Sequence, residues 1–307
     1  MLRSWRREPT NSVGQLTCML FVALATFAGW SGTLFAADDT VVTDKSRYSL
    51  FNSTPPQYMR EFTTDRPDIT ESPFTVDAGH VQTESDIFNY AKSKPDENGT
   101  VTEKFLFGPT NFRIGITNDA EFDFLLQPYN AVRTRTADPA RTSWAAGPDI
   151  LEARVKLNLY GNDTFKHPGS TALGLLPFVD IPTVQNGVGQ DHVEGGLIVP
   201  FAIKLSEKSD LGVMTEFDVR KNATDSGYHI EYVNTASLSY AISDKLSTYF
   251  EVATLFGNES PFGGIVTLDG GLLYLLRPNL QLDIGMNVGV TRSADSINPF
   301  VGVSSRF

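Results

Sequence analysis

The chain has almost no sulfur chemistry to offer. Of 307 residues only Cys18 is a cysteine, so no intrachain disulfide framework and no thiolate metal set can form. Histidine is nearly as sparse: His80, His167, His192 and His229 are too scattered for metal-ligand spacing, and none forms a His-x-x-x-His pair. Bases are outnumbered, 25 against 36 acids, for a net charge of −11. Phosphate-backbone recognition rests on basic patches, so nucleic acid is not an expected partner. No Gly-rich phosphate loop or dinucleotide fingerprint occurs, and no cofactor is expected. Beyond the N-terminus no apolar run is long enough for a spanning helix. The best stretch, Gly271 to Leu276, is cut by Arg277, Pro278 and Asn279, and the next carries Asp283.

What is present begins with a secretory pattern. Arg3, Arg6 and Arg7 make a basic start, Leu16 to Gly29 an apolar run, and Leu34-Phe35-Ala36 ends in a small residue suited to cleavage. Residues 1–36 are expected to be a signal peptide. Its removal takes away Cys18 and leaves a mature chain of about −13. From 37 to 79 no strand pattern appears, and Asp, Thr, Ser and the points Pro55-Pro56 and Pro67 interrupt the chain. This stretch reads as an N-terminal extension.

From residue 80 the pattern changes to long alternation. Between Leu280 and Val290, Leu280, Leu282, Ile284, Met286, Val288 and Val290 share one face, and Gln281, Asp283, Gly285, Asn287 and Gly289 the other. A strand with that period has one apolar and one wet face. Globular strands peak near 5–6 residues, whereas about 9–11 tilted residues cross a bilayer. Residues 211–220, 151–159 and 246–256 alternate in the same way. Twelve strands are predicted, at roughly 81–90, 103–116, 120–131, 149–160, 171–181, 194–205, 210–220, 228–241, 246–256, 264–276, 280–290 and 299–307. The alternative is a secreted soluble sandwich, which would also alternate.

The connections favour the membrane form. With an even strand count and a periplasmic C-terminus, every second connection should be short. Thr117-Asn118-Asp119, Ser206 to Ser209, Ile242 to Lys245 and Arg277-Pro278-Asn279 are tight, while Gly161 to Ser170 is longer. The intervening connections, such as Val132 to Pro148, are long and polar. Aromatics gather at predicted strand ends, at Tyr129, Tyr160, Tyr240, Phe256, Tyr274 and Phe307, as interface girdles require. Outer-membrane barrels commonly end on an aromatic strand signal, so Phe307 is the expected mark for the barrel assembly machinery. The fold class expected is all-β: a transmembrane antiparallel barrel of about twelve strands over 80–307.

Charges on the wet faces are the candidate lumen lining: Glu84, Arg113, Glu121, Asp123, Glu152, Arg154, Lys156, Glu216, Asp218, Arg220, Glu251 and Asp283. They read either as a selectivity filter, with cations the milder preference, or as a packed ion-pair network holding the barrel shut. The string Thr63-Thr64-Asp65-Arg66-Pro67-Asp68-Ile69-Thr70-Glu71-Ser72-Pro73 supplies plug candidates in Asp65, Arg66, Asp68 and Glu71. Its other reading is a periplasmic tether. Ser226 and His229 are the nearest thing to a hydrolase pair, but His229 falls on the face of Glu231, and no enzyme is expected.

That string, with Ala78-Gly79-His80-Val81-Gln82-Thr83-Glu84 after it and Asn111 to Phe122 beyond, resembles a family of outer-membrane proteins described as transporters or as the MetA-pathway of phenol degradation. Ile181-Pro182-Thr183 is similar to the family's Leu-Pro-Thr-Gly, with Val184 in place of the glycine. The resemblance covers roughly 62–307. It implies an outer-membrane channel for small solutes, including aromatic or hydrophobic compounds, set in outer-membrane lipid. A closed structural or adhesive barrel is the other reading, and the oligomeric state is not written in the pattern.

Overall fold

The computed structural model describes residues 44–307 apart from positions 138, 150, 186, 190, 223–225 and 258–263. The predicted signal segment, 1–36, lies outside the described residues. Alternation over the rest builds a closed antiparallel barrel of twelve wall strands. The first wall is β1 (Val81–Ser93). The next three are each broken once: β2 (Val101–Phe107) with β3 (Thr110–Gly115), β4 (Ala120–Leu126) with β5 (Tyr129–Thr136), and β6 (Arg141–Gly147) with β7 (Leu151–Tyr160). Eight unbroken walls follow: β8 (Thr171–Asp180), β9 (Glu194–Ser206), β10 (Ser209–Lys221), β11 (Tyr228–Ala241), β12 (Leu246–Gly257), β13 (Ile265–Arg277), β14 (Leu280–Gly289) and β15 (Asp295–Arg306). β1 pairs with β15 from Gln82↔Arg306 to Ser93↔Asp295, which closes the wall; β6, at the loop end, pairs with β5 alone among the described residues.

Burial separates this barrel from a soluble sandwich. On β14 Leu282, Ile284, Met286 and Val288 are exposed, whereas Gln281, Asp283 and Asn287 are buried. β12 repeats the inversion, with Phe250, Val252 and Phe256 outward and Glu251 inward. A contiguous apolar exterior around a polar interior is the arrangement that a lipid solvent selects.

Two details depart from the sequence reading. The three broken walls carry Pro109, Pro128 and Pro148 at or beside the breaks; proline has no N–H for the ladder, so the predicted strands 103–116 and 120–131 are each split in two, and 149–160 is preceded by a further strand, β6. The predicted loop from Val132 to Pro148 is largely a hairpin: Arg133 pairs with Trp144 and Arg135 with Thr142. Alternating Thr, Val and Arg gave that segment a polar look while keeping strand geometry. The last wall also starts at Asp295, earlier than 299.

Among the described residues the extension holds one short 3-10 turn, Pro56–Tyr58, and no strand. It enters the barrel at the end where the short turns and Phe307 lie, called here the turn end; the opposite end is the loop end.

Candidate functional site: a lumen filled by the chain's own N-terminal segment

Period-2 alternation sends every second side chain inward. All twelve candidate lumen residues, Glu84, Arg113, Glu121, Asp123, Glu152, Arg154, Lys156, Glu216, Asp218, Arg220, Glu251 and Asp283, are buried inside the barrel. The segment from Thr63 to Val76 threads between them and brings many of them together.

Arg113 of β3 is the hub. Its guanidinium lies 2.8 Å from Glu84, 2.8 Å from Glu121 and 3.0 Å from Asp65, and it donates to the Phe74 carbonyl at 2.8 Å. Lys156 of β7 reaches Asp65 at 2.5 Å and Glu121 at 3.3 Å. Across the lumen, Arg66 pairs with Asp86 at 2.5 Å and Asp283 at 2.6 Å, beneath the Phe300 ring. Arg154 joins Glu71 of the segment to Glu152 of its own strand.

Lumen side chains also hold the segment's backbone. Glu251 accepts from the N–H groups of Ile69 and Thr70, both at 2.8 Å, and from the Thr70 hydroxyl at 2.5 Å. Glu121 accepts from the Val76 N–H at 2.5 Å, Asn158 donates to the Pro73 carbonyl at 2.8 Å, and Gln82 to the Thr63 carbonyl at 2.8 Å. A strand-free segment buried in a barrel needs such partners, because an orphaned backbone group costs as much as a lost hydrogen bond. Thr70 Oγ1 also lies 2.6 Å from Thr235 Oγ1.

Two glycines make room for the segment. A Cβ on Gly302 would collide with the Arg66 guanidinium, and one on Gly115 with the backbone of Val76 and Asp77. Gly115→Val is therefore expected to cost about 1–3 kcal/mol, as overpacking does. The measurement is protease cleavage within residues 44–80, which should quicken while the walls stay intact.

At the turn end a separate cluster fastens the entry of the extension. Lys45 lies 2.6 Å from Asp163, which sits in the connection between β7 and β8, and Arg60 donates to Asn118 at 2.8 Å. His80 bridges the carbonyls of Thr54 and Phe307, at 2.8 and 3.0 Å. Burial raises the Asp163 carboxyl, but hydrogen bonds from Lys45 and Asn118 and the charge of Arg60 outweigh it and leave the group below its ordinary value. A lowered carboxylate stabilises the fold above its unfolded pKa, about 3.9, and loses that contribution as pH falls through the folded value. Acidification below about pH 4 should therefore quicken protease cleavage within residues 44–60 markedly in the wild type and much less in Asp163→Asn, which lacks this contribution at every pH and is cleaved faster at neutral pH.

Further toward the loop end, Arg220 gathers Asp180 at 2.7 Å, Glu194 at 2.5 Å and Asp218 at 3.0 Å, away from the segment. Asp180 and Asp269 are buried lumen acids absent from the sequence candidates. Asp180 shares its inward face with Ala172, Leu176 and Phe178, so no polar face announced it; Asp269 shares its face with Thr267, so its signal was present. Lys45, in contrast, meets a partner 118 positions away, which no local pattern announces.

Asp65, Glu121 and Asp123 bring carboxylate oxygens within 4.8 Å of one another, the one group among the described residues close enough to share a cation. The Lys156 ammonium already lies against two of the three and supplies that charge. His229 contacts Asn222 at 3.0 Å and Glu231 at 3.4 Å. Between segment and wall remains a cavity of about 120 Å³, lined by Arg66, Asp68 and Glu71 of the segment and by wall residues that include Asn89, Leu106, Leu125, Glu152 and Arg154.

Comparison with solved structures finds the same fold in the COG4313 outer membrane channel from Pseudomonas putida. That likeness has 10% identity and a TM-score of 0.57, over 80% of this chain and all of the other. The NanC porin aligns over 73% of this chain and 98% of its own, with 10% identity and a TM-score of 0.44. No protein of curated function matches by sequence. The family model described as "Putative MetA-pathway of phenol degradation" matches residues 64–307, which begins inside the lumen segment and runs through Phe307. The chain therefore belongs to that family, with the lumen segment as much a part of the match as the wall.

Proposed function

We propose that this protein is an outer-membrane channel for passive passage of small solutes, held closed by residues 63–76 of its own chain. The single observation behind this is the way lumen side chains grip that segment. Glu251, Glu121, Asn158 and Gln82 each spend a hydrogen bond on its backbone. A segment anchored by polar contacts, with no strand pairing among its described residues, can leave and let water replace those contacts; a wall strand cannot. In this reading residues 1–36 are removed on export, 37–79 lie at the periplasmic mouth, 80–307 span the outer membrane, and Phe307 is the signal for the barrel assembly machinery.

The solute class in this reading is a small aromatic or hydrophobic compound that also carries polar groups: Leu106, Leu125 and Leu126 offer the cavity apolar surface within a lining otherwise rich in charge, including Arg66, Asp68, Asp86, Glu152 and Arg154. The family's description points the same way.

Purified mature protein in planar bilayers tests the reading. The wild type should show small or rare steps, and a chain lacking residues 37–79 steps several-fold larger. A filled lumen equally suits a closed barrel that binds partners through its loops, and the same measurement separates the two. Absence of conductance in both proteins would leave the closed barrel as the answer.

A further inference from the structure

Four neighbouring walls carry one continuous outward row near the loop end. Lys92 of β1 pairs with Glu103 of β2, Glu103 with Arg133 of β5, and Arg133 with Trp144 of β6. Directly opposed residues stand about 4.5–5.5 Å apart, so the row is a single strip across the sheet. Its outward direction is set by burial: Phe107, Tyr129 and Trp144 are exposed on this face, while Leu106 and Asn130 alternate inward.

The strip is layered. Nearest the middle of the wall, Phe107 and Tyr129 pair with rings 6.2 Å apart. Next come Tyr90 and Phe105, 5.1 Å apart. The row of Lys92, Arg133 and Trp144 follows, and beyond it Arg135 opposite Thr142. Lys92 stands opposite Ile297, ten residues before Phe307. Since about 9–11 tilted residues cross a bilayer, the cations lie where hydrocarbon gives way to headgroups.

Glu103 organises the cations without cancelling them. It receives Arg133 at 2.6 Å, Arg135 at 3.1 Å and the Tyr90 hydroxyl at 2.8 Å. Arg133 lies beside the stacked rings of Phe105 and Trp144, 5.7 and 5.4 Å from their centres. Three cations against one acid make a positive strip on a chain of net charge −11. Aromatic rings below and cations above are complementary to an acyl chain ending in an anionic headgroup.

We propose that Lys92, Arg133 and Arg135, above the rings of Tyr90 and Phe105 and beside that of Trp144, form a site for the phosphate of a membrane lipid at the loop-end interface. The proposal rests on the outer-membrane reading above.

Trp144 is the only tryptophan after residue 36, so in the mature chain its fluorescence reports this site alone. Mature protein is reconstituted in phosphatidylcholine vesicles that contain brominated phosphatidic acid, or brominated phosphatidylcholine at the same bromine content. Stronger quenching by the brominated phosphatidic acid is expected. Lys92→Gln/Arg135→Gln leaves the Arg133 grip on Glu103 in place and should weaken the preference about fivefold for each cation removed. Equal quenching by the two lipids in an inserted wild type overturns the site. So does a preference that survives in Lys92→Gln/Arg133→Gln/Arg135→Gln. Insertion is read separately from the heat-dependent shift of the protein on gels: a wild type that fails to insert overturns the membrane reading and the site with it.

Discussion

Replacing Arg113 by methionine should destabilise the barrel by about 3–5 kcal/mol, the cost of removing one partner from a buried charge network. The reason is local arithmetic of charge. Glu84, Glu121 and Asp65 converge on one guanidinium that is 1% exposed, and Lys156 alone is left to compensate them. The temperature at which the purified protein loses its compact gel mobility is the readout. Glu84→Gln in the same chain should recover part of the loss, because it removes an acid that Arg113→Met leaves uncompensated. An unchanged transition in Arg113→Met would mean that water reaches the network freely and that the lumen is open at rest.

The second large effect concerns opening. Glu251→Ala removes the acceptor for two backbone N–H groups and one hydroxyl at the turn of the lumen segment. Each buried donor left without a partner costs about 1–3 kcal/mol unless it moves to water. The closed state therefore loses about 2–4 kcal/mol relative to any state in which the segment has left. That shift raises the open fraction by about thirtyfold to several-hundred-fold if the open state is rare. Planar-bilayer recordings should show it as longer open times with unchanged step size, because the pore itself is untouched. The converse variant is Thr70→Cys/Thr235→Cys, placed where two side-chain oxygens stand 2.6 Å apart. The predicted mature chain has no cysteine of its own, so oxidation should lock the segment and reduction should release it. Open times in Glu251→Ala matching the wild type would place the barrier elsewhere along the lumen.

Much of the wall was legible because a barrel strand is a local object. The run from Leu280 to Val290 shows which side faces lipid by residue type alone, and β14 follows it within one residue. Tight turns at Ser206 to Ser209 and Ile242 to Lys245 were equally readable from Ser and Asp. The departures have local causes as well. Pro109 and Pro128 interrupt hydrogen-bond ladders inside predicted strands, so one predicted strand became two in each case, and Pro148 parts β7 from β6, which lay in a predicted loop. The β5–β6 hairpin was hidden because Arg133, Arg135 and Trp144 face out beyond the apolar band, where polar residues are at no disadvantage.

The lumen was legible as a set of inward charges and illegible as an arrangement. Sequence could name Arg66 and Asp283 as charged residues in a plug candidate and a wall strand. It could not say that they meet, since their positions differ by 217. The same limit separated Lys45 from Asp163. By itself the sequence determined an all-β membrane barrel of twelve strands, its inside and its outside, because period-2 alternation writes a face directly into residue order. Only the tertiary structure decided between a charged lining around water and a network that closes on a segment of the same chain. That choice depends on which side chains the curvature of a closed sheet brings within hydrogen-bond distance across the lumen, and curvature is a property of the whole wall.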